Sequence, residues 1–306
     1  MTDQSQQSSP TFIRRTLATR ASVRGVGLFT GLPSSLTIAP ATGPDSSLSG
    51  IVLRRLDLPG APDIPSLARH IAPERRRTLL VAGADVPAAR AEAHTVEHVL
   101  SALAGLGITD ALLELSGPEV PIGDGSATPF VDAILAAGIV TIAEVPFESA
   151  CITIRAPIEV SDGTGTIRAE HSDTPGCEMI YELDYGPAAP IPAQRASAQI
   201  EPAGGIANYR SALARARTFC LLEEAVAMRK MGLFQGFEPR DLLVIGPDGP
   251  VDNSYRYDNE PARHKLLDLV GDLSLAGRPV QGRMIATRSG HALNHQMARA
   301  LASLAD

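Results

Sequence analysis

The stretch HTVEHVLSALAGLGITDALLELSG, residues 94–117, changes its period partway along. Val96, Val99, Leu100, Leu103 and Leu106 recur at the spacing of one helix face until Gly105 and Gly107 stop the run, and DALLELSG then reads as a strand. A second helix, TPFVDAILAAG (128–138), follows. The same order returns as ARHKLLDLVGDLSLAG (262–277), the strand VQGRMIATRSG (280–290) and the helix ALNHQMARALASLA (292–305). Helix, glycine, strand ending in Ser-Gly, and helix thus occur twice, about 170 residues apart, the mark of an internal duplication.

Strands precede each copy. GVGLFTG (25–31), SSLTIAPA (34–41) and GIVLRRLDL (50–58) lead into the first, and ACITIRAPIEV (150–160), GTIRAEH (165–171) and CEMIYELDY (177–185) into the second. The expected fold is α+β: two similar domains, each a β-sheet packed on two helices, with the site between them. Residues 1–11 are expected to be a disordered tail, 12–146 the first domain and 147–306 the second. A helix at roughly Leu221 to Met231 has no counterpart in the first half and marks an insert. The Pro- and Ala-rich stretch 186–205 reads as a surface connection or an irregular edge strand.

The chain has 306 residues, 44% of them hydrophobic, and no uncharged apolar run of spanning length, so no transmembrane segment is expected. MTDQSQQSSP at the start lacks the basic and apolar regions of a signal peptide, and a cytoplasmic location is expected. Three spaced cysteines, Cys151, Cys177 and Cys220, favour neither a disulfide framework nor a sulfur zinc site. A net charge of −7 argues against a nucleic-acid partner, although ERRRT (74–78) could meet a local anion.

HTVEH also fits the HxxEH pattern of inverted zinc peptidases, with His94 and His98 as ligands and Glu97 as base. Thr95, however, suits an N-cap, which puts Glu97 and His98 in the first turn and His94 off the continuous face. In the later helix His264 and Asp268 lie one turn apart, with Lys265 beside them and Asp272 a further turn on. Such a pair suits zinc or iron(II), and is also met as a plain ion pair. If the two helices face each other, His98, His264 and Asp268 make three ligands, the number a catalytic zinc takes.

Several of these landmarks, in order, resemble UDP-3-O-acyl-N-acetylglucosamine deacetylases, zinc amidases of the committed step of lipid A synthesis in Gram-negative bacteria. They are GVGLFTG, HTVEHVLSALAGLGI (94–108), PEVPIGDGSATPFV (118–131), ARTFCLLEE (216–224), GL (232–233), RHKLLDLVGDL (263–273) and SGHALNH (289–295). The resemblance implies His98, His264 and Asp268 as ligands of Zn2+ or Fe2+, and Glu97 as general base. It implies a protonated His291 held charged by Asp272, an oxyanion-supporting Thr218, a substrate-contacting Lys265, and Phe219 beside the sugar. The insert, about 219–250, is then a β-α-β unit whose helix forms a passage for the 3-O-acyl chain, lined by Leu222, Ala225, Met228 and Leu233. The implied partner is the UDP-linked acylated glucosamine alone, with at most peripheral membrane contact, on a monomer.

Two positions depart from the family pattern. Phe29 stands where GVGLH carries histidine, so no ligand or acid role passes to it. QGFE (235–238) replaces a GGS-like run, and the rings of Phe234 and Phe237 would alter the acyl length accepted. The competing readings are an HxxEH metallopeptidase and a catalytically silent nucleotide-sugar-binding homologue.

Overall fold

A computed structural model describes residues 10–41, 49–83, 90–201, 204–234, 236–239 and 241–304. The tail expected over 1–11 lies outside these up to residue 9, while Thr11 already opens a strand.

The first half runs β1 (Thr11–Leu17), β2 (Ala21–Val26), β3 (Pro33–Pro40), β4 (Ile51–Arg55), β5 (Asp63–Pro65), β6 (Ile71–Ala72), β7 (Leu79–Ala82), β8 (Ala91–His94), α1 (Glu97–Gly105), β9 (Ala111–Leu115), α2 (Thr128–Ala137) and β10 (Ile139–Pro146). A short α3 (Phe147–Ala150) leads to β11 (Ile152–Thr153), β12 (Ile158–Ser161), β13 (Thr166–Glu170), β14 (Cys177–Leu183), β15 (Gln194–Ile200) and α4 (Ile206–Tyr209). Then come β16 (Phe219–Leu221), α5 (Leu222–Lys230), β17 (Leu243–Gly246), β18 (Gly249–Pro250), α6 (Glu260–Ser274), β19 (Val280–Thr287) and α7 (His291–Ala302).

The mixed α and β architecture is the expected one. One sheet has the order β2-β3-β9-β4-β5, the other β12-β13-β19-β14-β15 with β11 also on β19. In each, the strand after the main helix takes the centre, antiparallel to one neighbour and parallel to the other. β16 and β17 pair in parallel and are joined through α5, which makes the insert a β-α-β unit. The stretch 186–205 contributes β15, an edge strand on β14. β6, β7 and β8 form a small separate sheet that period reading does not anticipate.

Alternation explains the sheets: along β19 every second residue is buried, so one face turns to the helices and the other to the surface. The helices are different. α1 buries eight of its nine residues and α6 twelve of its fifteen, so both are covered nearly all round and their polar side chains must find partners inside. Leu100, Leu103, Leu266, Leu269 and Leu273 are almost wholly buried, each contributing about 2 kcal/mol from area removed from water. One apolar cluster joins both halves.

At Gly271 the helices come close enough that a Cβ would lie 2.1 Å from the Glu97 carbonyl oxygen. That approach brings the start of α1 onto the last third of α6. Among the described residues, no helix is long and apolar enough to cross a membrane.

Candidate active site

The turn into α1 is made at Thr95, whose φ of 57° lies in the left-handed region that a β-branched residue rarely adopts. The expected cap is therefore not formed. The helix begins at Glu97 after Val96, with no side-chain cap, and the Thr95 hydroxyl donates instead to Glu119 Oε1 at 2.8 Å. Glu119, 1% exposed, also accepts from the backbone N–H groups of Phe29 and Thr30 and from the Thr30 hydroxyl, pinning the 27–30 loop beside the site.

His98, His264 and Asp268 meet where α1 crosses α6. One ligand atom from each lies within 4.8 Å of the others, and all three residues are buried. Asp268 Oδ1 sits 3.3 Å from His264 Nε2 and 3.6 Å from His98 Nε2, yet it has no hydrogen-bond partner, which a buried carboxylate oxygen seldom tolerates. His264 Nδ1 donates to the Ala216 carbonyl at 3.1 Å, leaving Nε2 as a bare acceptor. Burial pulls the His264 pKa down to about 3, against the attraction of Asp268, so the ring stays neutral. Burial raises Asp268, but His264 and Lys265 hold it well below the usual carboxylate range. Two imidazole nitrogens and one ionised oxygen around an unsatisfied point fit a divalent metal such as zinc.

Glu97 and His291 face each other beside this cluster, Nε2 to Oε1 at 3.9 Å. Burial pushes the Glu97 carboxyl up, with His291 and His98 pulling the other way. His291 Nδ1 donates to Asp272 Oδ2 at 2.8 Å, and Asn294 donates to the same oxygen at 2.9 Å. Burial opposes charge on His291, but Asp272, Asp268 and Glu97 outweigh it and raise the imidazole to about 9. The ring is a cation at neutral pH.

These groups open into a cavity of about 400 Å³, also lined by Thr218, Phe219, Lys265, Phe29 and Phe234. Phe219 stands edge-on to His264 at 6.3 Å and to Tyr185 at 6.3 Å. Lys265 Nζ donates to Asp268 Oδ2 at 2.8 Å. Phe29 packs on Phe234 at 5.6 Å, with the Arg77 guanidinium 4.4 Å over its face.

Of the residues expected to line an acyl passage, Phe234 borders this cavity, whereas Leu222, Ala225, Met228, Leu233 and Phe237 do not. Phe237 is buried against Leu28, Ile122 and Leu242, and Leu222 is 36% exposed. The insert instead offers Leu221 and Glu224, because Glu224 folds back to accept the Leu221 N–H at 3.0 Å. His94 ends β8, bonded to Glu92 at 3.1 Å and separated from the helix by the Thr95 kink; it is not in the cluster with His98.

Sequence reasoning missed Thr78, His295, Glu119 and Tyr185. His295 was readable as a second imidazole one turn after His291 in HALNH, but nothing local marks the other three. A further cavity of about 240 Å³, bordered by Leu100 and Leu103 of α1 and Val270 and Leu273 of α6, is lined mainly by apolar groups.

The sequence model of the UDP-3-O-acyl N-acetylglycosamine deacetylase family matches residues 14–303. A protein of Anaeromyxobacter dehalogenans (strain 2CP-C), named UDP-3-O-acyl-N-acetylglucosamine deacetylase, is 36% identical over 292 residues, covering 94% of this chain and 86% of that protein. A protein of the same name from Myxococcus xanthus (strain DK1622) is 36% identical over 310 aligned residues, 95% of this chain and 86% of its own length.

Proposed function

The chain belongs to the UDP-3-O-acyl N-acetylglycosamine deacetylase family, and on that premise we propose that it hydrolyses the N-acetyl group of a UDP-linked, 3-O-acylated N-acetylglucosamine. The products are the free amine and acetate, at the committed step of lipid A biosynthesis. The observation that carries the reading is the orphaned Asp268 Oδ1 between two imidazole nitrogens, beside a buried glutamate and a cationic histidine. The enzyme acts as a cytoplasmic monomer in this reading.

His98, His264 and Asp268 would hold zinc, or iron(II) in the cell. When bound, the metal supplies a Lewis acid that acidifies water and polarises the amide carbonyl. Glu97 does the proton work on the attacking side. Its Oε2 is fixed by the Thr78 N–H at 3.1 Å, leaving Oε1 to take the proton of the attacking water. As the carbonyl oxygen becomes an anion, His291 Nε2–H and the Thr218 hydroxyl supply donors toward it. Loss of the C–N bond needs a proton on a poor leaving nitrogen, and His291, charged up to about pH 9, gives it from Nε2.

Substrate recognition follows from the cavity lining. Lys265 spends one N–H on Asp268 and has others to offer the substrate's polar groups. Phe219 forms a flat apolar wall for a sugar face. The acyl chain leaves past Leu28, Phe29, Ile122, Leu221 and Phe234, so the two rings border its exit.

Metal content and acetate release from UDP-3-O-acyl-N-acetylglucosamine, measured on wild type, His94→Ala and His264→Ala, test this reading. It requires His264→Ala to lose both and His94→Ala to keep both. The reverse pattern would establish the HxxEH peptidase arrangement, and metal binding without acetate release by wild type would leave a silent binding homologue.

A further inference from the structure

Resting on the deacetylase reading, we infer that Thr78 is the positioning residue that sets the base Glu97 and the acid His291 against each other, with His295 as its support. Thr78 is fully buried, stands just before β7 and is not among the residues lining the cavity. All three of its polar groups are engaged at the site. The N–H donates to Glu97 Oε2 at 3.1 Å. The carbonyl accepts from Thr95 N at 2.9 Å, at the left-handed turn that launches α1. The hydroxyl bonds Asp272 Oδ1 and lies 2.9 Å from His295 Nε2.

Proton counting fixes the direction of this chain. An ionised carboxylate only accepts, and a hydroxyl has one proton to give. Thr78 therefore donates to Asp272, and His295 must donate from Nε2 to the Thr78 oxygen. The other Asp272 oxygen is filled by His291 and Asn294. With donors on both oxygens the carboxylate cannot turn, and the His291 ring it holds keeps Nε2 3.9 Å from Glu97 Oε1.

Three elements from both halves are tied through this one residue. Thr78 comes from the start of the central strand of the small sheet, Asp272 from α6, and His291 and His295 from successive turns of α7. Asn294 reaches only one Asp272 oxygen and does not touch Glu97, so it cannot do the same.

The test uses four full-length, metal-loaded variants: Thr78→Val, Thr78→Ser, His295→Leu and the Val/Leu double variant. Acetate release, metal content and thermal melting are measured on each. Thr78→Val keeps both backbone bonds and the side-chain volume but loses the hydroxyl; kcat should fall about 10- to 100-fold with KM and metal content unchanged. Thr78→Ser restores the hydroxyl and should stay within about threefold of wild type, although it gives up a buried methyl. His295→Leu should lower kcat in the same direction, and the double variant should be no slower than Thr78→Val, since one chain is cut twice.

The inference is overturned if Thr78→Val keeps wild-type kcat, if Thr78→Ser falls as far as Thr78→Val, or if the two losses multiply. Wild type that releases no acetate would remove the deacetylase reading itself, and this inference with it.

Discussion

Gly271→Ala would set a Cβ 2.1 Å from the Glu97 carbonyl oxygen, where ordinary contact begins at 3.4 Å. The obstructing atom is helix backbone, so no side chain can swing aside and α1 and α6 must part by about 1.3 Å. His98 rides on one helix and His264 and Asp268 on the other, so the widening falls on the ligand atoms, now within 4.8 Å of one another. A displacement near 1 Å costs on the order of 100-fold in rate. Overpacking should destabilise the fold by about 1–3 kcal/mol, a fall in Tm of about 2–6 °C. Helix propensity alone points the other way, since alanine in a helix interior is favoured over glycine by about 1 kcal/mol. Thermal melts with and without added zinc, together with kcat and metal content, decide the sign. An unchanged or higher Tm with wild-type kcat would mean that the helices are not in backbone contact at this point.

Three other outcomes are expected. The pH profile of kcat/KM should be bell-shaped: activity falls on the acid side as Glu97, raised above 4.5 by burial, takes up a proton, and on the alkaline side near pH 9 as His291 loses one. A profile still flat at about pH 10 would remove His291 as the acid. Arg217→Ala would take the counter-charge from Glu260, 0% exposed, which accepts from Arg217 Nε at 2.8 Å and would keep only the backbone N–H groups of residues 217 and 256; urea unfolding should show a loss of about 3 kcal/mol, and a loss under about 1 kcal/mol would contradict a buried charge left without its partner. Phe234→Ala should shift preference toward longer acyl chains by about fourfold in kcat/KM per methylene newly accommodated, and an identical chain-length profile would show that the Phe29–Phe234 pair does not bound the exit.

The sequence carries the long elements well because they carry the period. α6, Glu260–Ser274, is legible from its apolar face and from Pro261 in its first turn, and His264 and Asp268 are legible as a pair by helix geometry alone. That His98 lies against them depends on the helix crossing at Gly271, a contact between residues far apart in the chain that no periodicity encodes. β6, β7 and β8 have two to four residues each, too few to show alternation, so the sheet that delivers Thr78 leaves no signal. Thr95 looks like a cap because threonine is among the residues preferred at that position; the buried Glu119 takes its hydroxyl instead. Apolar spacing on α5 gives a helix but not which side meets the cavity, and Leu222 and Val226, 36% and 46% exposed, do not border it.

The helix crossing also has a consequence for how the protein is made. His98 leaves the ribosome well before His264 and Asp268 have been translated, and the first sheet with its own helices can form in that interval. A lone imidazole at the start of α1 is a poor trap for any metal, and a glutamate without its cationic partner has no amide to work on. On the proposed ligand set, a chain broken off before α6 would lack two of the three metal ligands and would be inert. With the proposed ligand set, affinity for a metal would appear only when α6, in the last sixth of the sequence, docks, so loading with metal would mark a chain translated through α6.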